Sequence, residues 1–349
     1  MPVESQLAAI RDALVRWYRG AARDLPWRAP PGAPPPEPYR VWLSEVMLQQ
    51  TTVAAVKPYF ERFITRWPTL GDLATADPAD VLAAWAGLGY YSRARNLIAC
   101  ARAVAEDHGA DFPASETALR GLPGIGDYTA AAIAAIAFGD SKAVPVDANI
   151  ERVVARLFAI REPLPQARAA IRAAARALWP IEGGGDFAQG MMDLGSLVCT
   201  ARSPDCGACP LRAACRAHAQ GIAAELPVKR ARRARPLRHG RAMWLERGAG
   251  DDRAVWLVRR PERGMLGGMR ALPGTDWGDA PLDPAPGAAP LGVVRHVFTH
   301  FALDLAVDRA GSQVTAQVDG KGEWWPVARL DAAGLPTLYR RAARIAMEG

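Results

Sequence analysis

At 349 residues, 50% hydrophobic and 23% charged, the chain has the composition of a soluble globular protein with room for two or three domains. No apolar run is long enough to span a membrane, and the first twenty residues read as an amphipathic helix rather than a signal peptide, so a cytoplasmic location is expected. A net charge of +7 and a pI near 9.4 suit a polyanionic partner, and five cysteines in a reducing compartment read as metal ligands or buried thiols rather than disulfides.

From Gln6 to about Gly221 the spacing of Ala, Leu and Val is helical, interrupted by Pro and Gly. A proline-rich loop at 29–38 follows the first helix. The next segment, 39–50, is apolar almost all the way round, which implies burial. Glu45 lies within it. A carboxylate on so apolar a helix is costly to bury charged, so its pKa should rise and let it serve as a general acid. The alternative is a glutamate at the rim with its head in water. Cys100 stands alone in a helical stretch at 94–106 and reads as a small core residue.

The turn Leu122-Pro-Gly-Ile-Gly-Asp-Tyr-Thr129 leads into a strongly helical run at 130–138. Gly124 and Gly126 let the backbone approach a phosphate, and the following helix offers unpaired N–H groups at its positive end. Such a hairpin grips DNA by its backbone without reading sequence. Asp147, directly before another helix, suits an N-cap and could equally face a developing cation at a cleft.

Cys199, Cys206, Cys209 and Cys215 place four soft ligands in one short loop with the spacing C-x6-C-x2-C-x5-C. Four thiolates saturate either a tetrahedral zinc or an iron–sulfur cluster. Zinc ribbons pair two C-x2-C units, and only one such pair occurs here. A cluster larger than a single ion fits the wider gaps better, with a zinc staple as the alternative. A basic run at 227–236 reads as an exposed linker. Beyond Gly240 the period changes: residues 254–258 read as a strand, and 301–308 alternate with Phe301, Leu303, Leu305 and Val307 on one face.

Taken together, Leu25-Pro-Trp-Arg28, Val41-Trp-Leu-Ser-Glu-Val-Met-Leu-Gln-Gln-Thr51, Gly87-Leu-Gly-Tyr-Tyr91, Leu122-Pro-Gly-Ile-Gly126, Met191-Met-Asp-Leu-Gly195 and the cysteine loop resemble the MutY-type adenine DNA glycosylases of the helix-hairpin-helix iron–sulfur superfamily. The fold so implied is a mainly α helix-hairpin-helix glycosylase domain with an iron–sulfur cluster loop, plus a C-terminal α+β Nudix-like domain. The expected boundaries are 1–225 for the helical domain, 226–240 for a basic linker and 241–349 for the Nudix-like domain. Within the first, 30–140 would form a six-helix module, with 1–29 and 141–225 forming the cluster module.

By the same resemblance the chain would remove adenine mispaired with 8-oxoguanine or guanine from double-stranded DNA, as a nucleoid-associated monomer. Glu45 would protonate the flipped adenine and help activate water, and Asp147 would stabilise the oxocarbenium-like sugar. Tyr128 and Asn149 would position them. Gln49, Gln50, Thr51, Leu88 and Tyr90 would line the lesion side, with Tyr90 wedged into the duplex. Arg28 and Asp193 would belong to the adenine pocket, and Phe298, Thr299 and His300 would contact 8-oxoguanine. A [4Fe-4S] cluster would sit on the four cysteines.

Three departures stand out. Thr299 replaces the family's serine, Met265-Leu-Gly-Gly268 lacks its tryptophan, and Ala148 replaces a glycine. No glutamate-rich Nudix box is visible between Gly267 and Gly292, so no pyrophosphatase activity is expected. The lyase relatives on this fold form a Schiff base through a lysine at the position of Tyr128, so a monofunctional glycosylase is expected.

Overall fold

Helical periodicity produces helices through the first two thirds of the chain: α1 (Glu4–Ala21), α2 (Pro38–Leu48), α3 (Val53–Arg66), α4 (Leu70–Thr75), α5 (Pro78–Trp85), α6 (Ser92–His108), α7 (Glu116–Arg120), α8 (Asp127–Ala137), α9 (Ala148–Leu157), α10 (Arg168–Leu178), α11 (Gly184–Leu197) and α12 (Arg216–Ala219). Their starts are written locally. Thr52, Ser115 and Asp147 each accept a hydrogen bond from the backbone N–H three residues on, and Pro38 and Pro78 occupy first-turn positions.

This computed structural model describes residues 3–230, 234–261, 264–284, 286–311 and 321–348. It divides into two units, one of Met1–Thr75 with Asn96–Ala231 and one of Ala76–Arg95 with Arg232–Gly349. Among the described residues no helix is long and apolar enough to cross a membrane.

At the centre of the first unit, α2 packs on α8, and α11 packs on α1, α8 and α9. Helix α8 is buried from Thr129 to Ala137, and α2 buries Tyr39 and every residue from Val41 to Met47. Each large apolar side chain so buried, such as Trp42, contributes roughly 1.5–3 kcal/mol. Cys100 is fully buried in this core, as its helical setting implies.

Among the described residues the second unit holds two sheets. Strand β1 (Leu237–Trp244) pairs parallel with β6 (Ala302–Arg309), which pairs antiparallel with β5 (Ala289–Val297). In the other sheet β3 (Ala254–Arg259) pairs antiparallel with β2 (Glu246–Arg247), β4 (Arg270–Ala271) and β7 (Gly322–Pro326). Helix α13 (Thr337–Glu348) packs on β5 and β6. The alternation read at 301–308 holds for Phe301, Leu303, Leu305 and Val307, all buried. Asp308 departs from it. It is buried too, because Arg241 pairs with both of its oxygens at 2.7 and 2.8 Å.

Two boundaries differ from those expected. Residues 76–95 group with the C-terminal residues, where the Arg95 guanidinium donates to Gly267 O at 2.7 Å. The linker is also shorter than 226–240. Leu226 is buried, Val228 O accepts from Leu164 N at 2.9 Å, and Leu237–Trp244 is strand. Residues 231–233 of the basic run lie outside the described residues.

Candidate active site and cluster loop

A cleft of about 600 Å³ opens in the first unit, lined by α2, the turn after it, the start of α8, the Asp147 turn and α11. Glu45 projects into it from the buried, apolar helix α2 and is only 8% exposed. Burial pushes its carboxyl from 4.5 up to about 7, and the neighbouring negative charge of Asp147 pushes the same way. Hydrogen bonding with Tyr128 and the charge of Arg28 oppose that rise without cancelling it. The rim alternative for Glu45 is thereby excluded. The partner Tyr128 hydroxyl is raised well above 10 by burial and by Glu45, so it is a neutral donor.

Asp147 and Asn149 line the same cleft. Asp147 Oδ1 accepts from Ile150 N at 2.7 Å, capping α9, while Oδ2 accepts from Asn149 Nδ2 at 2.8 Å. The capping and cleft-facing roles therefore coexist in one side chain. Asn149 Oδ1 accepts in turn from Arg152 Nη2 at 2.9 Å, and Arg152 Nε donates to Cys199 O at 2.7 Å. Gly195 makes this packing possible: a Cβ there would sit 2.6 Å from Asn149 Cβ. The Ala148 departure is accommodated, since it is an exposed first residue of α9.

The two adenine-pocket candidates separate. Arg28 lines the cleft, whereas Asp193 is fully buried and is not part of its wall. Asp193 accepts from Arg23 N at 3.0 Å, Arg23 Nε at 2.6 Å and Arg28 Nη1 at 2.8 Å. With both oxygens engaged, it anchors Arg23 and Arg28, which themselves line the cleft. Gln189 is the residue that sequence reasoning missed. It lines the cleft, is buried, and its Oε1 finds no hydrogen-bond partner among the described residues. Its signal in the sequence is weaker than that of Glu45, because α11 also carries Asp186 and Asp193.

Gln49, Gln50 and Thr51 form a tight turn on the cleft wall, with Gln50 left-handed at φ 59°. In the hairpin, Gly124 has φ 74°, and a Cβ there would collide with Asn96 at 2.6 Å, so the sharp turn requires glycine. Gly126 is the N-cap of α8 and is exposed.

The remaining lesion-side candidates belong to the second unit. Tyr90 is 46% exposed, and its hydroxyl lies 3.3 Å from Thr299 Oγ1. Thr299 and His300 are exposed, while Phe298 is half-buried and stacks on Trp277 with centroids 5.4 Å apart. Leu88 is a correction. It is buried and supports the loop from beneath rather than offering a surface.

All four loop cysteines line one small pocket with Arg156. Arg156 is fully buried and donates to Leu226 O (2.9 Å), Cys199 O (3.1 Å), Cys199 Sγ (3.2 Å), Thr200 O (2.7 Å) and Ala201 O (3.2 Å). One guanidinium thus fixes the path of the loop and supplies positive charge to a sulfur. Among the described residues no group of three or more Cys, His, Asp or Glu closes on a point as around a single ion. Four cysteine sulfurs around one shared pocket are the donor set that a [4Fe-4S] cluster takes.

Residues 43–180 match the HhH-GPD superfamily of base excision DNA repair proteins, 199–215 the iron-sulfur binding domain of endonuclease III, and 243–344 the NUDIX domain. The human adenine DNA glycosylase is 32% identical, covering 98% of this chain and 74% of its own length. That of Mycolicibacterium smegmatis is 41% identical over 63% of this chain and 73% of its own. The solved structure of a thermostable thymine-DNA glycosylase superposes with a TM-score of 0.54 at 28% identity, over 62% of this chain and 98% of that one. With a helix-hairpin-helix core, an iron–sulfur cluster loop and a Nudix-like domain in one DNA-binding N-glycosylase, the chain belongs to the MutY-type adenine DNA glycosylase family.

Proposed function

We propose that this protein excises adenine paired with 8-oxoguanine or guanine, with Glu45 as the general acid. The observation that carries the proposal is a glutamic acid held at a pKa of about 7 in the wall of a cleft large enough for a purine. Glu45 gives its proton to a ring nitrogen of the extruded adenine. The bond from the sugar to the base then breaks with its electrons leaving on the neutral purine. The oxocarbenium-like sugar left behind faces Asp147, whose orientation is fixed by Asn149 and the α9 cap. Water adds to the sugar carbon and returns a proton to Glu45, leaving an abasic site.

Tyr128 holds the Glu45 carboxyl, Arg28 is aimed by Asp193, and the free Gln189 Oε1 is an acceptor for the exocyclic amine of adenine. Gln49, Gln50 and Thr51 face the duplex beside the cleft. Tyr90, Phe298, Thr299 and His300 take the opposing oxidised base, and Gly124 and Gly126 grip a phosphate. Cys199, Cys206, Cys209 and Cys215 ligate the cluster, which when bound ties the loop after α11 into one body. The protein acts as a monomer.

No lysine lines the cleft among the described residues: Lys57 Nζ donates to Asp24 O, and Lys142 lies outside the cleft wall. A Schiff base is therefore not available, and borohydride should trap no DNA adduct. The direct test is a duplex with one adenine opposite 8-oxoguanine: strand scission only after alkali is expected. Scission without alkali, or a protein that binds the duplex and releases no adenine, would overturn the proposal.

A further inference from the structure

We infer that Arg93 is a positioning residue that builds the pedestal on which Tyr90 meets the lesion strand. This rests on Tyr90 contacting the lesion side, as proposed above. The loop between α5 and α6 turns through three left-handed residues, Gly87 at φ 109°, Gly89 at φ 71° and Tyr90 at φ 48°. The first and second are glycines, for which this backbone is free of steric cost. Tyr90 is not, and an L side chain stays in that region only where its surroundings enforce it.

Arg93 supplies the enforcement. It is 8% exposed, and its Nη2 donates to Leu88 O at 3.1 Å and to Gly89 O at 3.3 Å. Its backbone N–H closes the turn on Tyr90 O at 2.8 Å. The guanidinium carbon lies 5.2 Å from the centroid of the buried Trp85 ring and 5.5 Å from that of Tyr90. Trp85 Nε1 adds a bond to Gly89 O at 3.0 Å. A buried planar fork thus holds consecutive carbonyls and two rings at once, geometry that a lysine cannot reproduce. Burial lowers its pKa only to about 10, so it stays cationic near neutrality. Tyr90 is left as the exposed tip of a rigid base, ordered before DNA arrives.

The test is a double-mutant cycle of Arg93→Lys and Tyr90→Ala in the full-length protein. It is read as the ratio of single-turnover adenine release from 8-oxoguanine:adenine and guanine:adenine duplexes. Either substitution alone should lower that ratio about tenfold, the size of one lost base–aromatic stack, and the double variant should fall no further. Trp85→Phe, which removes one bond and keeps the ring, should lower it less and covers the case in which Arg93→Lys fails to fold. An Arg93→Lys or Trp85→Phe variant that keeps the wild-type ratio while Tyr90→Ala loses it would refute the inference and leave the role of Tyr90 standing. Additive losses, or equal slowing on both duplexes, would reduce Arg93 to ordinary core. A Tyr90→Ala variant with the wild-type ratio would remove the role of Tyr90 itself.

Discussion

The cleft around Glu45 and the surface around Tyr90 and Thr299 solve the same problem, fixing a side chain, by opposite means. In the cleft, Glu45 is buried, and the loss of water around it retunes its proton affinity. At Tyr90 the backbone is strained and the supports lie beneath, so the side chain itself remains exposed. Chemistry on a proton calls for a dry site. Recognition of a base in a duplex calls for a surface held rigid from behind. Substitutions in the two regions should therefore fail differently.

The largest effect is expected at Glu45. Glu45→Gln keeps the shape and removes the transferable proton, so adenine release should fall about 10²–10⁴-fold while duplex binding persists. Single-turnover assays and equilibrium binding on the same duplex separate these outcomes, and joint loss of both would break the contrast. Arg156→Met comes next. It strips donors from five acceptors around the cysteine loop, and should cost roughly 3–5 kcal/mol along with the visible absorbance of the cluster. Denaturant melts and absorption spectra check it.

Stability should also record the burial of Glu45. Its folded pKa of about 7 lies above the ordinary 4.5, so the folded state keeps a proton that the unfolded chain loses. Relative to Glu45→Gln, the wild type should be favoured fully below pH 4.5. It should lose about 3 kcal/mol as pH rises to 7, with no further change above. Paired melts at pH 4, 6 and 8 measure this, and a difference independent of pH would place the carboxyl in water. The smallest effect belongs to the exposed surface. Thr299→Ser retains the hydroxyl opposite Tyr90 and should change the single-turnover rate less than about threefold, within the range of surface substitutions.

Much of this was legible in the residues. The cysteine spacing, the apolar helix around Glu45 and the cap before α9 each state a local physical requirement, and each is met. Where sequence fell short, the cause was a long-range partner. Asp193 looked like a pocket residue, yet Arg23 and Arg28, far off in the chain, consume its oxygens. Asp308 sat on the polar side of its alternation and is buried because Arg241 meets it. Leu88 belonged to a motif whose tip is Tyr90, and periodicity cannot distinguish the tip from its support. Arg152 and Arg156, four apart on α9, had a readable spacing, but their acceptors are carbonyls of the distant cysteine loop.

The proton on Glu45 is most directly tested by the pH profile of single-turnover adenine release from an 8-oxoguanine:adenine duplex. The rate should be level below about pH 7 and fall tenfold per unit above it, as the acid form is depleted. A rate that stays level to pH 9, or that climbs through neutrality, would contradict a glutamic acid that donates its proton.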